Sequence, residues 1–179
     1  MNTLRIFLAA LAIATTLVTS GCGFQLRGSR TVASLPFETI HIALPTASEL
    51  HAQLKRSIEA TEKTRVVDDA KSAQVTLAIV GDSQAKNVLS LDTSGKVREF
   101  QLVRTLAFRL HDAAGRDWLP PGQIVMRRDM YFSDQQILAK EAEEALLWRD
   151  MQTDIAYQLL RRLSAARPPE ALDPAGRVD

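Results

Sequence analysis

The sequence predicts an α/β fold: a two-layer sandwich in which two helices cover one face of a mixed four-stranded sheet. Three observations predict it. Four segments alternate apolar and polar residues with a period of two, two others repeat apolar residues at helical spacing, and their order along the chain is β-α-β-β-β-α. A sheet with one apolar face buries that face against helices in two layers. The βαβ start permits a parallel pair, while the short turns later in the chain demand antiparallel ones, so the sheet is mixed.

Residues 1–21 read as an export signal. Arg5 precedes Ile6 to Val18, thirteen residues without a charge. A spanning helix needs about 20 apolar residues, whereas a basic start, a shorter apolar core and small residues after it suit a secretory signal. Cys22 follows, the only cysteine in the chain. An odd cysteine in an exported protein is either a free reactive thiol or a residue with a special fate. Ser20-Gly21-Cys22 resembles the lipobox of bacterial lipoproteins, with Thr19 where Leu is usual. That resemblance implies N-acyl and S-diacylglycerol lipid on Cys22 as the mature N-terminus, including a palmitate-type acyl chain. Two or more chains give stable attachment to a bilayer. In the sorting rule of such lipoproteins Asp after the cysteine retains the protein at the inner membrane; here Gly23 points to the outer membrane.

Of the 22 basic side chains only Arg5 lies in the signal, and none of the 21 acidic ones does. The mature part is therefore formally neutral, which argues against nucleic acid as a partner. It is long enough for one domain with a real core, and a single cysteine leaves that core to packing without an internal disulfide.

Residues 22–34 show no sustained period and read as a linker from the lipidated end to a domain over 35–164. Ile40, Ile42 and Leu44 alternate with polar or small neighbours as a strand that Pro45 stops. Thr46-Ala47-Ser48-Glu49 has the form of a capping box, followed by Leu50, Leu54 and Ile58 on one helical face that ends near Thr61. After a short extended piece at Arg65 to Val67, the second strand opens with Val75, Leu77 and Ile79. It resumes at Val88 to Leu91 beyond an irregular patch around Gly81 to Asn87. Asp92-Thr93-Ser94-Gly95 is a turn, and Phe100, Leu102, Leu106, Phe108 and Leu110 line one face of the third strand, forming an antiparallel hairpin with its predecessor. Arg104 interrupts this face and is expected at a sheet end or in an ion pair. Pro120-Pro121-Gly122 is expected to break the chain before the fourth strand, Ile124 to Phe132. Ser133 and Gln136 have capping-box spacing. No Gly or Pro interrupts Asp134 to Leu163, which is expected as one helix of roughly 45 Å, its stripe from Leu138 through Ala142, Ala145, Trp148, Ile155 and Leu159 to Leu163 covering the sheet. Residues 165–179 read as a disordered tail.

The chemistry-bearing residues give little support to an enzyme. His41, His51 and His111 lie on three separate elements without ligand spacing, so no metal site is expected. Neither a nucleophile elbow nor a Gly-rich phosphate loop occurs. Glu141, Glu143 and Glu144 open the long helix, where anions suit the dipole. No catalytic residue and no cofactor beyond the lipid is therefore assigned. The cations are more informative. Lys96, Arg98 and Arg104 cluster on the central hairpin, Arg127 and Arg128 mark the fourth strand, and Lys140 stands in the first turns of the long helix, where a cation gains nothing from the dipole. A solvated face is one reading; contact with a phosphorylated anionic lipid is the other.

Several stretches together resemble the LPS-assembly lipoprotein LptE family. They are Gly21-Cys22-Gly23-Phe24-Gln25-Leu26-Arg27-Gly28, Gly95-Lys96-Val97-Arg98-Glu99-Phe100-Gln101-Leu102, and Arg128 to Met151 with Asp134-Gln135-Gln136-Ile137-Leu138-Ala139-Lys140-Glu141 and Arg149-Asp150-Met151 inside it. The similarity runs from Cys22 to about Leu163. It implies an outer-membrane lipoprotein of the lipopolysaccharide translocon that binds and plugs the LptD β-barrel, aids its assembly, and contacts LPS bound for the outer leaflet. It also implies a two-layer α/β sandwich, and LPS contact at Lys140. A second basic contact of the family falls in the loop before Gly95; here that loop is Asp92-Thr93-Ser94, so Lys96 or Arg98 is expected to take its place. The rival reading is a lipoprotein chaperone or pilotin of another outer-membrane secretion complex.

Overall fold

A computed structural model describes residues 34–169. The expectations for the signal peptide, Cys22, the linker up to residue 33 and the tail from residue 170 lie outside the described residues. The elements are β1 (Thr39–Ala43), α1 (Glu49–Glu59), β2 (Arg65–Val66), β3 (Val75–Leu91), β4 (Val97–His111), β5 (Asp117–Tyr131) and α2 (Ile137–Ser164), with 3-10 turns at Ala70–Ser72 and Asp134–Gln136. The strands form one sheet in the order β2-β1-β3-β4-β5. β1 runs parallel to β2 and β3, and β3-β4-β5 is an antiparallel meander. The sheet is mixed, as expected, with five strands rather than four because the extended piece at Arg65 bonds to the far side of β1.

Both helices pack on one sheet face and share one core. Ile40 and Ile42 of β1, Val75 and Leu77 of β3, and Leu106, Phe108 and Leu110 of β4 meet Leu50, Leu54 and Ile58 of α1 and Ile155, Leu159 and Leu163 of α2. The period of two in the strands and of about four in α1 places these side chains on the shared face. Beyond the expected helix end, Ala166 is buried and the Arg167 amide donates to the Trp118 carbonyl at 3.3 Å.

Four local expectations are corrected. The cap of α1 is Ser48, not Thr46: the Ser48 amide donates to the Pro45 carbonyl in a turn, so helical backbone begins only after it, and the Ser48 hydroxyl accepts from the His51 amide at 3.5 Å. Likewise Ser133 accepts from the Gln135 amide rather than sharing a box with Gln136, because one 3-10 turn precedes α2. The patch from Gly81 to Asn87 is not irregular. β3 is one strand of 17 residues with register shifts at Ile79/Gly81 and around Ser90. Finally, Pro120-Pro121-Gly122 does not break β5. The register passes from Phe108↔Gly122 to Leu110↔Leu119, so the two prolines stand out of the ladder in a bulge. β5 is also an edge strand of the sheet, and edges and bulges are where missing amide donors are tolerated. A Cβ at Gly122 would lie 3.3 Å from Arg162 Nη1 and 3.6 Å from Phe108 Cζ, so glycine lets that ring lie against the backbone.

The long helix also departs from expectation along its length. Met151, Ile155, Ala156, Leu159, Leu160 and Leu163 are buried, but Leu138 is 82% exposed and Ala142 and Ala145 are exposed as well. Only the second half of α2 covers the apolar sheet. The first half meets the outer part of the hairpin through polar and aromatic groups. Where the two halves meet, Arg104 of β4 sits between the buried Leu102 and Leu106, itself 5% exposed. Its guanidinium forks onto Asp82 of β3 at 3.1 and 2.8 Å and donates to Gln152 of α2 at 3.0 Å. Arg104 is thus paired in mid-strand, not placed at a sheet end.

Candidate functional site

The outer end of the molecule is built by the β3-β4 turn and the start of α2. Gly95 closes the turn at φ +81°, a conformation that glycine adopts without strain. Asp92 Oδ1 accepts from the Ser94 hydroxyl and from the amides of Ser94 and Lys96 at 2.7, 2.8 and 2.9 Å. The Ser94 hydroxyl, then these amides, hold the Asp92 carboxyl below its ordinary pKa. Lys96 reaches across to Asp134, Nζ to Oδ2 3.0 Å, and this hydrogen bond and the attendant charge raise its pKa. The Arg98 carbonyl accepts from the Phe132 amide at 2.9 Å. Its side chain is exposed. Lys140, one turn into α2, is 17% exposed and bound to Glu143 at 2.7 Å.

The fold therefore brings Lys96, Arg98 and Lys140 to one end, through the Lys96–Asp134 and Arg98–Phe132 contacts. Arg104 does not join them, because it is turned into the interior. Arg128 is committed to Asp154 of α2 at 2.6 Å, and Arg127 is exposed on β5 opposite Val103.

Sequence reasoning missed the layer beneath these cations. Lys86 of β3 bonds Glu144 at 2.6 Å and places its ammonium 4.2 Å from the Phe100 ring centre. Phe100 stands edge-on to Phe132 at 5.3 Å, and the Trp148 indole donates to Glu144 at 3.3 Å. Around it Val88, Leu89, Leu91, Tyr131, Ile137 and Leu138 are exposed. The local signal was a high density of apolar residues at turn ends; of these the helical reading placed Leu138 in the stripe expected to cover the sheet, and the others were not singled out. An exposed apolar group this dense beside cations is suited to an amphiphile with a negative head.

Of the acidic residues at the start of α2, Glu143 and Glu144 serve as ion-pair partners of Lys140 and Lys86. His41 Nδ1 lies 3.2 Å from the Val67 carbonyl and His111 Nδ1 2.8 Å from that of Asp112. Among the described residues no three His, Cys, Asp or Glu gather as a metal-ligand set, and no described helix is long and apolar enough to cross a membrane. At the opposite end a groove lined by Leu35, Phe37, Glu38, Lys63, Arg65 and Gln74 is bridged by the Glu38 amide donating to Gln74 at 3.0 Å.

Comparison with known proteins points one way. Residues 37–163 match the family model described as LptE, lipopolysaccharide-assembly. The chain is 34% identical over 175 residues to an LPS-assembly lipoprotein LptE of Yersinia pestis, covering 93% of this chain and 79% of that one. It is 28% identical over 163 residues to the protein of the same name from Pectobacterium atrosepticum, covering 89% and 85%. Among solved structures, an uncharacterized lipoprotein B from Nitrosomonas europaea is 41% identical with a TM-score of 0.67, over 80% of this chain and 91% of that one. The rare lipoprotein B of Shewanella oneidensis shares the fold at 23% identity and a TM-score of 0.63, over 72% and 95%.

Proposed function

Since the chain belongs to the LPS-assembly lipoprotein LptE family, we propose that it is an outer-membrane subunit of the lipopolysaccharide translocon. In this reading N-acyl and S-diacylglycerol lipid on Cys22 tethers it to the outer membrane. The folded domain binds and plugs an LptD-type β-barrel, aids the barrel's assembly, and contacts LPS on its way to the outer leaflet. It acts as a scaffold and subunit, and no reaction is assigned to it.

The observation that supports LPS contact is the outer end of the fold. Lys96, Arg98 and Lys140 lie at that end, as do the exposed Val88, Leu91, Ile137 and Leu138. A phosphorylated sugar head group presents anions to lysine and arginine donors, while its acyl chains present apolar surface to the neighbouring side chains. Lys140 and Lys96 already carry carboxylate partners, so a phosphate would exchange for Glu143 or Asp134 rather than meet a bare ammonium. That exchange gives specificity for a strong anion over a neutral lipid. The plug role is supported by a neutral, charge-rich exterior, which suits a polar barrel interior.

Binding of LPS to the purified lipidated protein tests the reading. With Lys96→Glu, Arg98→Glu and Lys140→Glu combined, affinity is expected to fall about tenfold or more, the equivalent of about 1.4 kcal/mol, with circular dichroism unchanged. Arg127→Glu, away from this end, is the control and is expected to bind as wild type. Equal binding by the folded triple variant would return these cations to a solvated face.

A further inference from the structure

Beyond β1, the β3 side of the meander is an edge that no strand among the described residues covers. β3 spans Val75–Leu91, but β1 pairs only with Val75 to Ala78. On that side Ile79 to Leu91 have no neighbouring strand among the described residues. From Gly81 to Val88 the register against β4 is unbroken, so eight consecutive residues, about 26 Å of strand, present alternate amides and carbonyls outward. The other end of the sheet is treated differently: β5 carries Pro120 and Pro121 in a bulge, devices that blunt an edge. The free run of β3 has no proline. Its one inward-pointing cation, Lys86, is held toward α2 by Glu144 and remains partly exposed.

We propose that this run is a docking edge for an extended segment of the β-barrel partner, which adds to the sheet as a strand beside β3. The inference rests on the barrel reading above and adds to it the surface used and the mode of recognition. Main-chain hydrogen bonds supply the contact, and alternate side chains supply the selectivity. The arriving strand carries an acidic or neutral residue opposite Lys86 and an apolar one opposite Val88, since like charges across a ladder repel and apolar pairs attract.

The geometry argues against a second copy as the occupant. Two β3 strands paired antiparallel about Gln84 bring Asp82 opposite Lys86 of the other copy, a favourable pair. The same register sets Ser90 opposite Ala78, where Ala43 of β1 already lies. Each hairpin tip then runs into the other copy's β1. Sliding outward by two residues per strand clears that collision and places Lys86 opposite Lys86. A heterologous segment ending near Ile79 meets neither obstacle, because β1 ends at Ala43 and Pro45 cannot donate to a continued ladder.

The test is site-specific photocrosslinking in cells, with a photoreactive residue introduced singly at Ser83, Gln84, Ala85, Asn87 or Val88 of the full-length chain. Strand addition predicts crosslinks to the barrel at consecutive residues, those on the helix side (Gln84, Val88) and those on the open side (Ser83, Ala85, Asn87) alike. In the purified complex every second amide from Gly81 to Val88 is expected to exchange more slowly than in the free protein. Crosslinks to the barrel at Ser83, Ala85 and Asn87 alone would mean docking on the sheet face and would overturn edge pairing. Crosslinks to the barrel from Leu138 or Val125 but none from this run would also overturn it and leave the barrel reading intact. A run of crosslinks to a second copy, or to a protein that is not a barrel, would overturn the assigned occupant. If no position anywhere on the domain captures a barrel, both readings fail together.

Discussion

Removing the Asp82 carboxylate tests how the two halves of the domain are joined. Arg104 lies between Leu102 and Leu106, 5% exposed; Asp82 accepts two hydrogen bonds from its guanidinium and Gln152 accepts a third. In Asp82→Ala the guanidinium stays buried with one neutral partner. Breaking a buried pair costs about 3–5 kcal/mol. The Asp82 side chain is 32% exposed, so water partly replaces it and about 2–3 kcal/mol is the expected loss. At about 2–4 °C per kcal/mol for a domain of this size, the melting temperature falls by about 4–12 °C. Arg104→Met removes the charge and fills the same slot with an apolar chain; it is expected within about 1 kcal/mol of wild type. Added to Asp82→Ala, it is expected to restore most of the lost stability. Urea unfolding followed by circular dichroism on all four proteins gives the coupling directly. Asp82→Ala within about 0.5 kcal/mol of wild type, or no recovery in the double variant, would refute the claim that an uncompensated Arg104 is what the carboxylate prevents.

Other expectations follow from the same packing and turns. Leu54→Ala, at a fully buried position, is expected to cost about 2–5 kcal/mol, whereas Leu138→Ala on the exposed half of α2 is expected to change stability by less than about 0.5 kcal/mol; denaturant midpoints separate them. Gly95→Ala, forced to φ +81°, is expected to cost about 1–2 kcal/mol, and Gly81→Ala less, because its nearest neighbour, Ala107 Cβ, is 3.7 Å from the added carbon. For Asp112, burial raises the pKa but the amide and guanidinium of Arg116 outweigh it, and the net shift is downward, as at Asp92. A depressed folded-state pKa contributes stability above the ordinary carboxylate value that is lost as pH falls through the folded value. Stability measured from pH 6 downward is therefore expected to drop below about pH 4, and less steeply in Asp92→Asn/Asp112→Asn. Lys140→Glu is expected to weaken LPS binding without unfolding the domain, since an anion near the helix start suits the dipole better than the lysine does.

How much of this was legible depended on the range of the interactions. The even-numbered apolar residues of β4 and the spacing of Leu50, Leu54 and Ile58 are set by local backbone periodicity, so strands, helix and their shared face could be read directly. What escaped was decided by neighbours distant in sequence. Pro120 and Pro121 read as a break until the sheet order put β5 at an edge. Arg104 had no visible partner because Asp82 lies across the hairpin. The first half of α2 carried the same apolar period as the second, yet its Glu144 reaches Lys86 of β3 while its apolar side chains stay off the core, so Leu138 is exposed. At the candidate site, Lys96, Arg98 and Lys140 were chosen from the resemblance and from charge, and the fold brings them to one end. Lys86 and the Phe100–Phe132 pair were not singled out, because nothing in a single strand's alternation marks which end of it the helix will leave half-covered.

The central claim is that this chain works as the partner of an outer-membrane barrel in LPS assembly. Its most direct test is affinity purification of the tagged protein from detergent-solubilised outer membranes, with the co-purifying proteins identified and their ratio measured. The account predicts a large barrel of the LptD type at one-to-one stoichiometry. A different secretion barrel in its place would favour the pilotin reading, and recovery of the lipoprotein with no barrel would contradict the account.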